Sequence, residues 1–187
     1  MSAAQQKTAL RRRMKALAAS LDPAYNAAAS RRICRALTQQ PAYQWAGTVF
    51  CFVGTAREID TRPFLEQVLR DGKRLCVPLC TGKGVMEARQ IDSLDVLRPG
   101  ALDILEPPAS SLRVAPEQID FCVVPCLCAT ADGARLGYGG GYYDRFLPGL
   151  GARAQQVLVC RSRMLVPEMP QEGHDVCFSC VITEASD

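Results

Sequence analysis

The sequence predicts an α/β protein, a three-layer sandwich with a mostly parallel central sheet and helices on both faces. Three observations point that way. Residues 47–53, 74–79, 119–125 and 155–160 are short apolar runs rich in β-branched, aromatic and cysteine side chains, with the length of buried strands. Stretches with helical periodicity alternate with them. No repeat, low-complexity segment or linker divides the 187 residues, so 1–187 reads as one domain with a substantial core.

The elements follow in chain order. Residues 7–20 form an amphipathic helix, with Leu10, Met14, Leu17 and Leu21 on one stripe and Lys7, Arg11, Arg12, Arg13 and Lys15 over most of the rest. Lys7 and Arg11 are one turn apart and share a face. Asp22 and Pro23 are an N-cap and first-turn pair. The helix they start runs to about Gln39, with Tyr25, Ala29, Ile33 and Leu37 at regular spacing. After the strand at 47–53, Thr61 caps a third helix that runs through Arg70 and stops near Gly72. Residues 81–118 are polar and turn-rich, with a short helix around 93–97. The strand at 119–125 leads into a glycine run, a helix starts at 144–147, and residues 180–183 make the last strand.

Composition excludes several classes. Hydrophobic content of 48% and charged content of 22% suit an ordinary globular protein. A net charge of +3 argues against a dedicated nucleic-acid partner. No apolar run reaches the length of a membrane span, so no membrane partner is expected. The charged start, Lys7 to Lys15, holds no signal-peptide core, which predicts a cytoplasmic protein with reduced thiols. Ten cysteines leave two readings open. Cys126, Cys128, Cys177 and Cys180 are a candidate zinc set. Yet Cys177-x-x-Cys180 has no second such pair, and His174 is the single histidine. Cys51, Cys76, Cys122 and Cys160 lie in apolar runs, which favours cysteine as a small core hydrophobe.

Chemistry concentrates in the run from Arg135 to Arg145, where Gly137, Gly139, Gly140 and Gly141 surround Tyr138. Glycines let several backbone N–H groups converge on one anion. Arg135 and Arg145 can fork onto phosphate oxygens, and Asp144 can hold a divalent cation. The run is neither a Walker loop, having no Lys, nor a dinucleotide fingerprint, having Tyr142 where a further spacing is needed. A plain loop has no need of the flanking charges. A second spot, from Arg57 to Thr61, follows the first strand, where open α/β sheets bind ligands. Its acids also favour a helix N-terminus, so Asp60 suits the helix and Glu58 a ligand. His174 and Asp175 lack a nucleophile context and do not read as a hydrolase triad.

With these residues in order the chain resembles the 5-formyltetrahydrofolate cyclo-ligase (5,10-methenyltetrahydrofolate synthetase) family. The resemblance rests on Lys7-x-x-Leu10-Arg11, Glu58-Ile59-Asp60-Thr61, Gly100 with Ile104-Leu105-Glu106-Pro107, and Val124-Pro125. It continues through Gly133-x-Arg135-Leu136-Gly137-Tyr138-Gly139-Gly140-Gly141-Tyr142-Tyr143-Asp144-Arg145-Phe146-Leu147, Pro170-x-x-x-His174-Asp175 and Val181-Ile182-Thr183-Glu184. It implies a ligase that uses ATP and Mg2+ to close the methenyl ring of a folate. By resemblance, Lys7 and Arg11 reach ATP phosphates, and Lys7 and Arg145 act catalytically. Gly137, Tyr138, Gly139, Gly140 and Gly141 wrap the phosphates, with Arg135 and Arg145 adding charge. Asp144 holds the metal, Glu58 accepts from the pterin, Tyr142 packs near the folate and Val53 lines its pocket. A monomer is expected.

The chain departs from the family at Ala129 (usually Phe), Thr130 (usually Asp), Met164 (commonly Gln) and Ser179 (often Asp). These departures bear on metal and substrate. They keep two alternatives in view, a different ATP-using enzyme on the same scaffold and a non-catalytic folate or nucleotide-binding module.

Overall fold

The computed structural model describes residues 2–100, 104–173 and 175–186. His174 therefore lies outside the described residues. Helix α1 (Ala3–Ser20) starts earlier than its apolar stripe, because Ser2 and Gln5 form a reciprocal capping box. Helix α2 (Pro23–Gln39) begins where Asp22 accepts from the backbone N–H groups of Ala24 and Tyr25. A short α3 (Pro41–Trp45) follows, then β1 (Thr48–Cys51) and α4 (Arg62–Arg70). Thr61 precedes α4 but its side chain does not cap it. Instead the Thr61 hydroxyl donates to the Phe52 carbonyl at 2.8 Å and accepts from Gly54 N–H at 3.0 Å, tying the helix start back to the end of β1.

The stretch expected to be turn-rich holds more strand than its polarity suggests. β2 (Arg74–Gly82) turns directly into β3 (Val85–Ile91), and the short β4 (Arg98–Pro99), β5 (Leu105–Glu106) and β6 (Arg113–Val114) follow. β3 pairs with β2 and β6; its buried residues are Met86 and Ala88 on one face and Ile91 on the other, with polar residues between. The chain continues through β7 (Phe121–Pro125), β8 (Cys128–Ala129), β9 (Arg135–Leu136), α5 (Tyr142–Phe146), β10 (Gln155–Val159) and β11 (Val181–Ile182).

Seven strands make the main sheet in the order β11-β10-β7-β1-β2-β3-β6. The four pairings from β11 to β2 are parallel, and those of β3 are antiparallel. Alternation along the central strands sends side chains to opposite faces. Val49, Cys51, Phe121, Val123, Val157 and Val159 pack with Ile33 and Leu37 of α2 and Phe64, Leu65 and Val68 of α4. Phe50, Cys122, Val124 and Leu158 pack with Met14 of α1 and Phe146 of α5. Helices therefore cover both faces. Six of the ten cysteines are buried, and burial pushes the thiols of Cys34, Cys76 and Cys128 up to about 12, as expected for core-filling cysteines.

Glu184, past the last strand, closes the sheet edge onto α2. Tyr25 and Ser162 hydroxyls both donate to its Oε1, and Ser162 N–H donates to Oε2 at 2.8 Å. Burial raises the Glu184 pKa, but these donors outweigh it and hold the carboxyl below its ordinary 4.5. A depressed carboxyl adds stability above its unfolded value and loses it as pH falls through the folded one. Glu184→Gln should therefore lower the unfolding free energy by about 1–3 kcal/mol at neutral pH. In urea titrations the gap from wild type should shrink as pH falls below 4.5.

Candidate active site

β1, β7 and β10 run parallel in adjacent positions, so their carboxyl ends open onto one edge. Three loops leave that edge. Residues 54–61 carry Glu58, residues 126–127 carry Cys126 and residues 160–164 carry Arg161 and Met164. The glycine run joins β9 to α5 beside them.

Three arginines frame the glycine run. Arg11 Nε, from α1, donates to the Gly137 carbonyl at 3.0 Å. Arg145, on α5, donates through Nε to the Gly84 carbonyl at 2.8 Å and through Nη2 to the Gly140 carbonyl at 3.1 Å. Arg135 donates through Nε to the Pro125 carbonyl at 2.9 Å and through Nη1 to Asp144 Oδ1 at 3.0 Å. Its guanidinium also sits 5.3 Å from the Tyr143 ring centroid. Gly139 (φ +102°) and Gly141 (φ +69°) take left-handed conformations that bend the run around this frame. The result is a cationic cup with α5 leaving from Gly141.

Lys7, one turn before Arg11 on α1, is buried. Its Nζ donates to Asp175 Oδ2 at 2.6 Å and Glu172 Oε2 at 2.7 Å. The segment bearing these carboxylates is fastened where Phe178 N–H donates to the Gly133 carbonyl at 2.9 Å. Burial alone would lower the Lys7 pKa, but the hydrogen bonds and charges of Asp175 and Glu172 together raise it. The ammonium is therefore charged at neutral pH.

Glu58 lies against a cavity of ≈ 20 Å³ lined by Arg57, Tyr138, Cys126, Arg161 and Met164 among others. That volume holds about one water, and Tyr138, on the glycine run, forms part of its wall. Thr55 N–H donates to Glu58 Oε2 at 3.2 Å. Burial is the main cause that raises the Glu58 pKa above its ordinary 4.5. Val53 is buried among core side chains and is not one of the cavity's lining residues. Tyr142 is half-buried at the start of α5, against the core side chains of the α1 face. Asp144 is half exposed and engaged by Arg135. Among the described residues no group of three or more His, Cys, Asp or Glu is arranged to hold a metal ion.

Three of the four departures from the family pattern have these surroundings. Thr130 is buried, and its hydroxyl accepts from Ala134 N–H at 2.9 Å, an acceptor role that a carboxylate would also fill. Met164 gives the cavity an apolar wall. Ser179 is exposed. Sequence reasoning missed Arg161, Gly84 and the Lys7 carboxylates. The first directly follows an apolar run, and the others join segments far apart in the chain.

An arginine-framed glycine loop at the carboxyl ends of a mostly parallel sheet is the build of an α/β enzyme that handles phosphates. The chain matches the 5-formyltetrahydrofolate cyclo-ligase family over residues 3–184, and it belongs to that family. It is thus a ligase of folate metabolism. It is 33% identical over 144 residues to a 5-formyltetrahydrofolate cyclo-ligase of Mycolicibacterium smegmatis, covering 73% of each chain. It is 31% identical over 153 residues to that of Escherichia coli, covering 80% of this chain and 84% of the other. The solution structure of Aquifex aeolicus 5,10-methenyltetrahydrofolate synthetase superposes with a TM-score of 0.85 at 28% identity, over 96% of this chain and 90% of the other.

Gly84 couples the β2–β3 turn to the glycine run. It has φ +72°, and a Cβ there would lie 1.6 Å from Arg145 Nη2. Gly84→Ala should cost about 1–2 kcal/mol of stability. It should also raise the KM for ATP several-fold by displacing Arg145 from Gly140. Neighbouring Lys83→Ala should change neither quantity, and steady-state kinetics beside thermal melts check both.

Proposed function

We propose that this chain closes 5-formyltetrahydrofolate to 5,10-methenyltetrahydrofolate, driven by ATP, with release of ADP and phosphate. The observation that supports this most is the sharing of Tyr138. One residue belongs both to the arginine-framed glycine run and to the wall of the Glu58 cavity. Nucleotide and folate would then meet across a single side chain.

The chemistry needs that proximity. A formamide carbon is a poor electrophile and its oxygen a poor leaving group. The formyl oxygen attacks the γ-phosphorus and ADP departs. The N10 lone pair then attacks the activated carbon, N10 loses its proton, and the C–O bond breaks to release phosphate. Holding the reactants in line supplies most of the catalysis in such transfers. Lys7, Arg11, Arg135 and Arg145 would offset phosphate charge, and the N–H groups of residues 137–141 would cradle the oxygens. Each charge-assisted bond contributes about 1.5–3 kcal/mol. Lys7 would exchange at least one of its carboxylate partners for phosphate. Glu58 would accept from pterin N–H groups, and Tyr142 would pack near the folate.

The family uses ATP. Magnesium commonly binds through one or two carboxylates together with substrate phosphates and water. The half-exposed Asp144 carboxylate beside the glycine run fits that limited role. Bound there, the metal would neutralise phosphate charge. Arg135 would keep Asp144 oriented. We read the chain as a monomer, and as cytoplasmic, a compartment that suits its ten free cysteines. No described helix is long and apolar enough to cross a membrane.

Mixing protein, 5-formyltetrahydrofolate, ATP and Mg2+ should give the absorbance of the conjugated methenyl product, and none without ATP. Lys7→Ala should lower kcat/KM at least about a hundredfold, the loss of one to two charge-assisted bonds. Asp144→Asn should lose magnesium-dependent turnover with an unchanged melting temperature. A flat trace from folded wild-type protein would sink the proposal.

A further inference from the structure

Arg161 is a buried charge with no place in the reading above. It follows β10 and is 5% exposed. Its Nη1 donates to the Arg57 carbonyl at 3.2 Å, and its Nη2 donates to the Glu58 carbonyl. It thus grips by its backbone the segment that delivers Glu58. Its Nε is buried and has no hydrogen-bond partner among the described residues. The same side chain lines the Glu58 cavity. A buried guanidinium N–H without an acceptor is costly and rare, so an acceptor brought by a ligand explains its retention.

We propose that Arg161 positions Glu58 through the backbone and offers Nε–H to a carbonyl-type acceptor of the bound ring, so that the cavity selects an edge where N–H and C=O stand side by side. The inference rests on the folate reading of this site. A pterin has such a lactam edge: Glu58 takes its N–H and Arg161 gives to its carbonyl. A 4-amino pteridine sets a donor against a donor, and buried mismatches of that kind discriminate strongly.

The electrostatics agree. The groups facing Glu58 are Arg161 after β10, Tyr138 on the glycine run, Cys126 after β7 and Tyr143 on α5. Arg57 also lines the cavity, and of the two cations Arg161 is the one whose charge acts on the Glu58 carboxyl. Burial pushes the Glu58 carboxyl up and the Arg161 charge opposes it. Without that charge the carboxyl rises further, and the acid limb of kcat/KM moves to higher pH.

The test uses full-length Arg161→Met and Arg161→Lys. Readouts are KM for folate and for ATP, the pH profile, and fluorescence-detected binding of 4-oxo and 4-amino pteridines. Arg161→Met should raise the folate KM about tenfold, leave the ATP KM nearly unchanged, and shift the acid limb upward. Arg161→Lys should restore the acid limb but not the preference for the 4-oxo ring, which wild type should show by about tenfold. If Arg161→Met does not fold, Arg161→Lys decides alone through the pteridine preference. Wild-type KM and preference in Arg161→Lys would overturn the inference while leaving the ligase intact. Absence of methenyl product from wild type would instead fail the ligase reading, and pteridine preference alone would then decide the role of Arg161.

Discussion

The parallel register of β1, β7 and β10 is the constraint on which the rest depends. Cys51 pairs with Val123, and Val159 with Pro125, so three strands end nearly level at one edge. Parallel strands buried on both faces must be apolar throughout their length. Three polar groups of the Glu58 cavity therefore come from the loops past strand ends: Glu58 in the loop after β1, Cys126 directly after β7, Arg161 two residues after β10. Arg135 reinforces the arrangement by bonding the Pro125 carbonyl, the last residue of β7. A slip of that register would displace all three loops together.

Charge is organised around this edge by pairing rather than by excess. The net charge is only +3, yet three arginines frame the glycine run and Lys7 lies one turn from Arg11 on α1. Each is held by carbonyl or carboxylate oxygens: Arg11 on Gly137, Arg145 on Gly84 and Gly140, Arg135 on Pro125 and Asp144, Lys7 on Asp175 and Glu172. Such preorganisation lowers the cost of aligning donors when a phosphate arrives. It also explains why a loop rich in glycine keeps a defined shape without a partner.

Much of this was legible in the sequence. The Asp22–Pro23 cap, the long α2, the four central apolar strands and the glycine run all declare themselves through short-range rules, and each lies within a few residues of its expected place. The β2–β3 hairpin did not, because β3 carries Glu87, Arg89 and Gln90 between its buried residues and reads as loop. Thr61 occupies the position of a cap yet spends its hydroxyl on β1, a choice set by packing. The carboxylates that hold Lys7 come from the far end of the chain, and no local pattern encodes such a contact. Arg161 was hidden for the opposite reason, as one charge closing an apolar run.

The central claim is that the formyl oxygen is phosphorylated where the glycine run meets the Glu58 cavity. Its most direct test is to follow that oxygen. With 5-formyltetrahydrofolate labelled by ¹⁸O in the formyl group, the account predicts one labelled oxygen in the phosphate released with each methenyl product. Label appearing in water, with unlabelled phosphate, would contradict it.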